Sequence, residues 1–210
     1  MIARVVLQVL VTLLAALAGF YAAVWRVKKR LRPAALLLEE GLQSLHGSLY
    51  ETAMAKGHLG ERSVSLRIHL GRWGRTLIIR MACDSSLDFS IWGPGRKGVP
   101  RRLPADGYLV LAAPEFGQEF ASISRDTSRF LAWARQPVTK DRLNALANAK
   151  DNWRLELESA TLEWTDFTCR DDEFSGPNFA KRLALLAHLA SSLEAAAGDL
   201  GSPAPGHPVS

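Results

Sequence analysis

In residues 62–70, Arg62-Ser63-Val64-Ser65-Leu66-Arg67-Ile68-His69-Leu70, polar and apolar side chains alternate without a break from Ser63 to Leu70. Successive side chains of a strand point to opposite faces, so this period of two specifies a strand with one dry and one wet face. Working outward, Gly71 to Gly74 reads as a turn, Arg75 to Cys83 as a second strand, and Asp84-Ser85-Ser86 as its stop. Leu87, Phe89 and Ile91 then alternate with polar neighbours, so residues 62–92 are expected to form three consecutive antiparallel strands. Upstream, Gly57 to Glu61 reads as a turn, and residues 48–56 fit either a strand or more helix. The Gly-, Pro- and Arg-rich stretch 93–107 is expected to be a long exposed loop.

Further downstream, Tyr108 to Phe116 reads as a buried strand ending at Pro114, and Phe120 to Ser124 as a short extended piece. Asp126 can cap a helix through Leu131 to Ala134, and Pro137 opens another with Leu143 and Leu146 inward. Residues 153–167 read as a hairpin turning at Ser159-Ala160. Pro177 starts an amphipathic helix through Phe179, Leu183, Leu186, Leu189 and Leu193, and the last residues are rich in Pro, Gly and Ser. Strands with helices between and after them predict an α+β fold, helices packed on one face of an antiparallel sheet.

Upstream of Pro33 the chain changes character. Residues 5–24 carry no charge, and at about 1.5 Å per residue they cover roughly 30 Å, the thickness of a bilayer's hydrocarbon. This is a transmembrane candidate, followed at once by Arg26, Lys28, Lys29, Arg30 and Arg32. Tyr21 and Trp25 stand where aromatic rings favour the headgroup layer, so these seven residues are expected at the membrane interface. A cleaved secretory signal is the alternative, with Ala16-Leu17-Ala18 before Gly19 as its small-x-small site. The apolar run continues past that site, however, and most of the positive charge lies behind it, which favours an uncleaved anchor. The same cations place the following domain in the cytoplasm by the positive-inside rule, with export as the opposite orientation.

The expected organisation is therefore a transmembrane helix with its basic flank at 1–32, a short amphipathic helix or linker at 33–47, an α+β domain at 48–197 and a tail at 198–210. Leu38, Leu42, Leu45 and Leu49 carry the helical spacing of the linker, with Gly47 as its stop.

The formal net charge is +5 over 210 residues. Residues 1–32 alone hold six basic side chains and no acid, so the excess belongs to the membrane segment and does not point to nucleic acid. Within the domain, residues 56–102 are cationic and 150–173 anionic. Either the cationic part faces lipid or an acidic partner, or the two regions lie side by side and neutralise one another. Arg96, Lys97, Arg101 and Arg102 are the candidate residues of a loop that meets an anionic partner.

Signatures of nucleotide, zinc-protease, esterase and thioredoxin chemistry are missing from the sequence, and no catalytic, metal or cofactor residue is assigned. His46, His58 and His69 lack ligand spacing and are read as surface histidines. Cys83 is read as a buried or edge-strand cysteine, and Cys83 and Cys169 are too few for a disulfide framework. Asp84, Asp88 and the triplet Asp171-Asp172-Glu173 are read as turn chemistry and a solvated approach to a helix. An enzyme built on Asp84, Asp88 or Cys83, and a peripheral lipid-binding module, are the alternatives to a binding or scaffolding module.

In layout the chain resembles a widespread class of bacterial membrane-anchored proteins: a terminal span, a basic flank, a small β-rich domain and a closing helix, with the stretch from Pro114 to Trp164 carrying part of the likeness. The resemblance implies membrane anchoring and transfers no functional residue. The expected partners are the bilayer through residues 2–25 and a membrane-protein partner or a second copy, with Ala15, Ala18, Gly19 and Ala22 spaced for helix contact.

Overall fold

A computed structural model describes residues 2–38, 42–43, 51–71, 74–95, 108–111 and 120–198. The chain is α+β: among the described residues, nine strands form one wholly antiparallel sheet, with four α-helices. The strands are β1 (Leu42–Gln43), β2 (Glu51–Leu59), β3 (Arg62–Gly71), β4 (Gly74–Ala82), β5 (Phe89–Trp92), β6 (Tyr108–Leu111), β7 (Phe120–Ser124), β8 (Trp153–Glu158) and β9 (Thr161–Cys169). The helices are α1 (Ile2–Leu37), α2 (Thr127–Ala134), α3 (Pro137–Ala149) and α4 (Gly176–Gly198).

Spatial order in the sheet is β1-β2-β3-β4-β9-β8-β5-β7-β6. The three-strand unit expected over 62–92 is therefore interrupted, because β9 takes the free edge of β4 and β5 lies beyond β8. The register shows why. Met81 stands opposite Leu162 and Ile79 opposite Trp164, so the apolar phases of β4 and β9 coincide. Residues 83–88 meanwhile leave the β4 line: Cys83 N–H donates to Ala160 C=O at 3.0 Å, Ser85 N–H to Cys83 C=O at 3.0 Å, and Leu87 N–H to Ser85 Oγ at 3.3 Å. These bonds carry the chain past the end of the β8–β9 hairpin.

Several local expectations match the elements seen. Asp126 caps α2, its carboxylate accepting from Arg129 N–H at 3.0 Å. Leu143 and Leu146 of α3 and Phe179, Leu183, Leu186, Leu189 and Leu193 of α4 are buried. The β8–β9 turn uses Ser159 and Ala160 at φ 50° and 56°, the left-handed geometry that lets a two-residue hairpin follow the sheet's twist. Phe89 lies 5.2 Å from Phe130 and 5.0 Å from Trp133, tying α2 to the sheet, and Trp133 Nε1–H donates to Ser192 Oγ at 2.9 Å, tying α2 to α4.

The separate helix expected over 33–47 is corrected. α1 continues unbroken to Leu37, with Pro33 inside it, and Leu42–Gln43 are strand. A proline forfeits the bond to the carbonyl four residues earlier, here that of Lys29, which lies on an exposed turn where water can satisfy it. Leu31, Ala34, Ala35 and Leu38 are buried, so packing holds the last turns in helical form. Leu45, Gly47 and Leu49 fall outside the described residues, as does the tail beyond Gly198. The turn expected over 57–61 narrows to Gly60-Glu61, Gly60 taking φ +60°, and Gly57 lies within β2. A Cβ on Gly57 would stand 2.3 Å from Leu38 O and 2.6 Å from Leu38 Cβ, so only glycine lets the end of α1 close on the strand.

Candidate functional site

The α1 helix has two parts of different solvent history. From Arg4 to Ala22 its mean hydropathy is 2.2 and none of it is buried in the protein, which makes it long and apolar enough to cross a membrane. From Leu31 to Leu38 its inner face is fully covered by the domain. The basic residues lie on the turns between. Tyr21, Trp25, Arg26, Lys29 and Arg32 are exposed, with the Lys29 ammonium 5.5 Å from the Trp25 ring, and Lys28 lies on the same turns of the helix. Arg30 differs: it is half-buried, its guanidinium 5.9 Å over the ring of Phe174 in the β9–α4 connection. Pro33 meets the start of α4, lying 3.9 Å from where a Cβ on Gly176 would stand. Arg96, Lys97, Arg101 and Arg102 lie outside the described residues.

Beside this joint sits a buried ionic network. Asp166 is completely buried, and Lys150 Nζ, just past α3, lies 2.6 Å from its Oδ2 and 2.6 Å from Glu173 Oε2. Arg182 of α4 pairs with Glu173 and approaches Asp166 Oδ2 at 3.6 Å, while its guanidinium stacks 5.1 Å over the Trp164 ring. Thr168 N–H donates to Asp166 Oδ1 at 2.9 Å, and Lys150 donates to Thr168 C=O at 3.2 Å. Burial acts to raise the Glu173 carboxyl, but hydrogen bonds from Lys150 and Arg182 outweigh it and hold the group below its usual range. The expectation of a solvated acidic triplet is therefore corrected for Glu173, because the 3₁₀ turn Asp171–Glu173 folds it back between two cations.

Asp166, Cys169 and Glu173 present ligand atoms within 4.8 Å of one another. Lys150 and Arg182 already donate into that space, however, filling with protein cations the position a metal would need. The Cys169 thiol, pushed up to about 12 mainly by burial, donates to Glu173 Oε2 at 3.5 Å instead of offering a thiolate.

The opposite end of the domain is more open. Arg62 pairs with Glu194 near the end of α4, Asp84 N–H donates to Glu194 Oε1 at 2.9 Å, and these groups with Cys83 line a cleft of about 830 Å³. The Arg62 hydrogen bond holds the Glu194 carboxyl below its usual range. Cys83 is buried and its thiol is pushed up to about 12, chiefly by burial. Cys169 is also free. Asp84 is exposed and Asp88 pairs with Arg125 at 3.0 Å. His58 is exposed and His69 partly so; His46 lies outside the described residues.

On the sheet face away from the helices, an ionic ladder crosses four strands. Arg80 Nε donates to Glu163 Oε2 at 2.6 Å, Arg154 Nη2 bridges Glu163 and Glu156 at 3.0 Å each, and Ser90 Oγ donates to Glu156 at 2.8 Å. The cationic and anionic regions thus lie side by side in the β4–β9 pair.

The network at the joint escapes motif searching, yet two of its four members break a local pattern. Asp166 continues the apolar phase of Leu162 and Trp164 and stands opposite Leu77 and Trp153. Arg182 interrupts the apolar stripe of α4 between Phe179 and Leu186. A charge in an apolar phase has to find a partner indoors.

No family model and no curated protein matches the chain. Among solved structures, the chain is similar to the mycobacterial trehalose monomycolate transport factor A, TtfA: the TM-score is 0.50 at 11% identity, covering 81% of this chain and 86% of that one. At that identity the likeness is one of fold.

Proposed function

We propose that the chain is a single-pass, non-enzymatic binding or scaffolding module held at the cytoplasmic face of a bacterial inner membrane. The observation that carries this reading is the continuity of α1. One helix supplies both a fully exposed apolar stretch of bilayer length and, nine residues beyond Ala22, the first of a set of buried core positions. At about 1.5 Å per residue, Leu31 lies roughly 13 Å past the end of that stretch, so the sheet sits close against the membrane surface. Holding a domain there raises its effective concentration toward membrane partners, which is how a tether contributes without chemistry of its own. The β4–β9–β8–β5 ladder offers such a partner a polar face. The fold shared with a trehalose monomycolate transport factor supports a role beside lipid handling.

The test is fractionation of the full chain with a C-terminal tag. The reading expects retention in membranes through alkaline carbonate, an intact Met1 end, and a tag that is protected in spheroplasts and digested after lysis. Release by carbonate, loss of the first eighteen residues, or digestion in intact spheroplasts would overturn the anchor, the uncleaved span or the orientation, respectively.

A further inference from the structure

The 3₁₀ turn Asp171–Glu173 and the Phe174 that follows it are held from two sides. On one side Phe174 is buried, with the Arg30 guanidinium of α1 5.9 Å over its ring and the Phe179 ring of α4 6.1 Å away. On the other, Glu173 pairs with Lys150 just past α3 and with Arg182 of α4. Neighbouring Cα atoms sit about 3.8 Å apart across a trans peptide, so Phe174 cannot move far without carrying Glu173 with it. Within the turn, Glu173 N–H donates to Arg170 C=O at 3.3 Å, and Asn178 Nδ2–H donates to Asp172 C=O at 3.3 Å, which ties the turn to the start of α4.

What Glu173 covers is Cys169, at the end of β9. The thiol donates to Glu173 Oε2 at 3.5 Å, and Arg182 Nη1–H donates to its sulfur at 3.7 Å. Glu173 is thus shared by Lys150, Arg182 and the thiol, and its withdrawal opens all three contacts together. We propose that residues 171–174 form a clamp through which the position of α1 controls closure of the corner around Cys169. Moving α1 off Phe174 releases the turn, and Glu173 leaves the sulfur with it. The clamp is a conformational device between α1 and the sheet domain, beyond the binding role proposed above. It depends on the packing of α1 against the turn, so failure of the chain to stay in membranes would leave it standing.

The test takes Cys169 as its reporter and Cys83, beside the cleft at the opposite end of the domain, as its internal control. The full chain in neutral micelles is labelled with iodoacetamide at pH 8, and each cysteine is followed by peptide mass spectrometry. Phe174→Leu keeps an apolar side chain and removes the ring under Arg30. With a cation–π contact of ordinary strength at stake, it is expected to speed Cys169 labelling about fivefold and to leave Cys83 within about twofold. Arg30→Gln should also speed Cys169, and the double variant should fall short of the product of the two single effects, because both remove one shared contact. Lys29→Gln, which removes an exposed cation one residue away, should change neither cysteine. An unchanged Cys169 rate in both single variants, single effects that multiply in the double, or equal acceleration at Cys83 would overturn the proposal. So would a Lys29→Gln effect on Cys169 as large as that of Arg30→Gln. If circular dichroism shows Phe174→Leu or the double variant unfolded, Arg30→Gln alone is compared with Lys29→Gln. Acceleration confined to Cys169 is then expected, and its absence would count against the clamp.

Discussion

The two ends of the domain use charge in opposite ways. At the joint with α1, Asp166 is fully buried and Glu173, Lys150 and Arg182 are mostly covered, the four held together as ion pairs. At the far end, Arg62 and Glu194 form a partly exposed pair on an open cleft. A buried network fixes the relative position of the elements that supply it, because removing any member strands the others, whereas an exposed pair is exchanged with water at little cost. Here α3, β9 and α4 are tied together where α1 meets the domain, whereas the other end of α4 lines an open cleft.

Asp166→Ala is expected to have the largest effect, about 3–5 kcal/mol of lost stability, because Lys150 and Arg182 would face a buried gap. Urea unfolding of the full chain in micelles measures it. Leu31→Ala should cost about 2–5 kcal/mol, against less than about 0.5 kcal/mol of domain stability for Leu17→Ala on the exposed stretch of the same helix. Equal effects at positions 31 and 17 would break the division of α1 into two parts. Glu194→Gln, at the open end, should cost only about 0.2–1 kcal/mol. Ala160→Gly should stabilise by roughly 0.5–1 kcal/mol, by relieving a left-handed alanine in the β8–β9 turn.

Acid sharpens the same contrast. Glu173 and Glu163 have folded-state pKa values below the ordinary 4.5, each because hydrogen-bonded cations outweigh burial. A depressed carboxylate contributes stability that is present above the unfolded value and is lost as pH falls through the folded one. Stability should therefore hold near neutrality and decline below about pH 4.5, with a shallower decline in Glu173→Gln. Thiol labelling at pH 8 should be slow at both Cys83 and Cys169 until the chain unfolds, since burial keeps each protonated.

Local pattern carried much of the fold. The alternation around Val64, Leu66 and Ile68, the Asp126 cap and the Pro177 start each depend on residues within a few positions, and each element formed as read. Strand order was not legible, because the insertion of β9 beside β4 depends on matching apolar phases some eighty residues apart. Pro33 misled for a related reason: its local preference to end a helix yields to the burial of Leu31, Ala34, Ala35 and Leu38. The candidate site was half legible. The basic turns after Trp25 were legible as an exposed cationic flank, whereas the meeting of Arg30 with Phe174, and of Glu173 with Lys150 and Arg182, needs three elements folded together.

The central claim is that one unbroken helix passes from the bilayer into the core of the domain. Its direct test is spin-label accessibility, scanned residue by residue from Val5 to Leu38 in the full chain reconstituted in lipid bilayers. The account predicts oxygen-accessible labels without protein contact through Ala22, then a 3.6-residue alternation between protected and water-exposed positions that runs through Pro33 to Leu38 in a single phase. A loss of phase at Pro33, or mobile labels at positions 31, 34 and 38, would show a hinge between span and domain and contradict it.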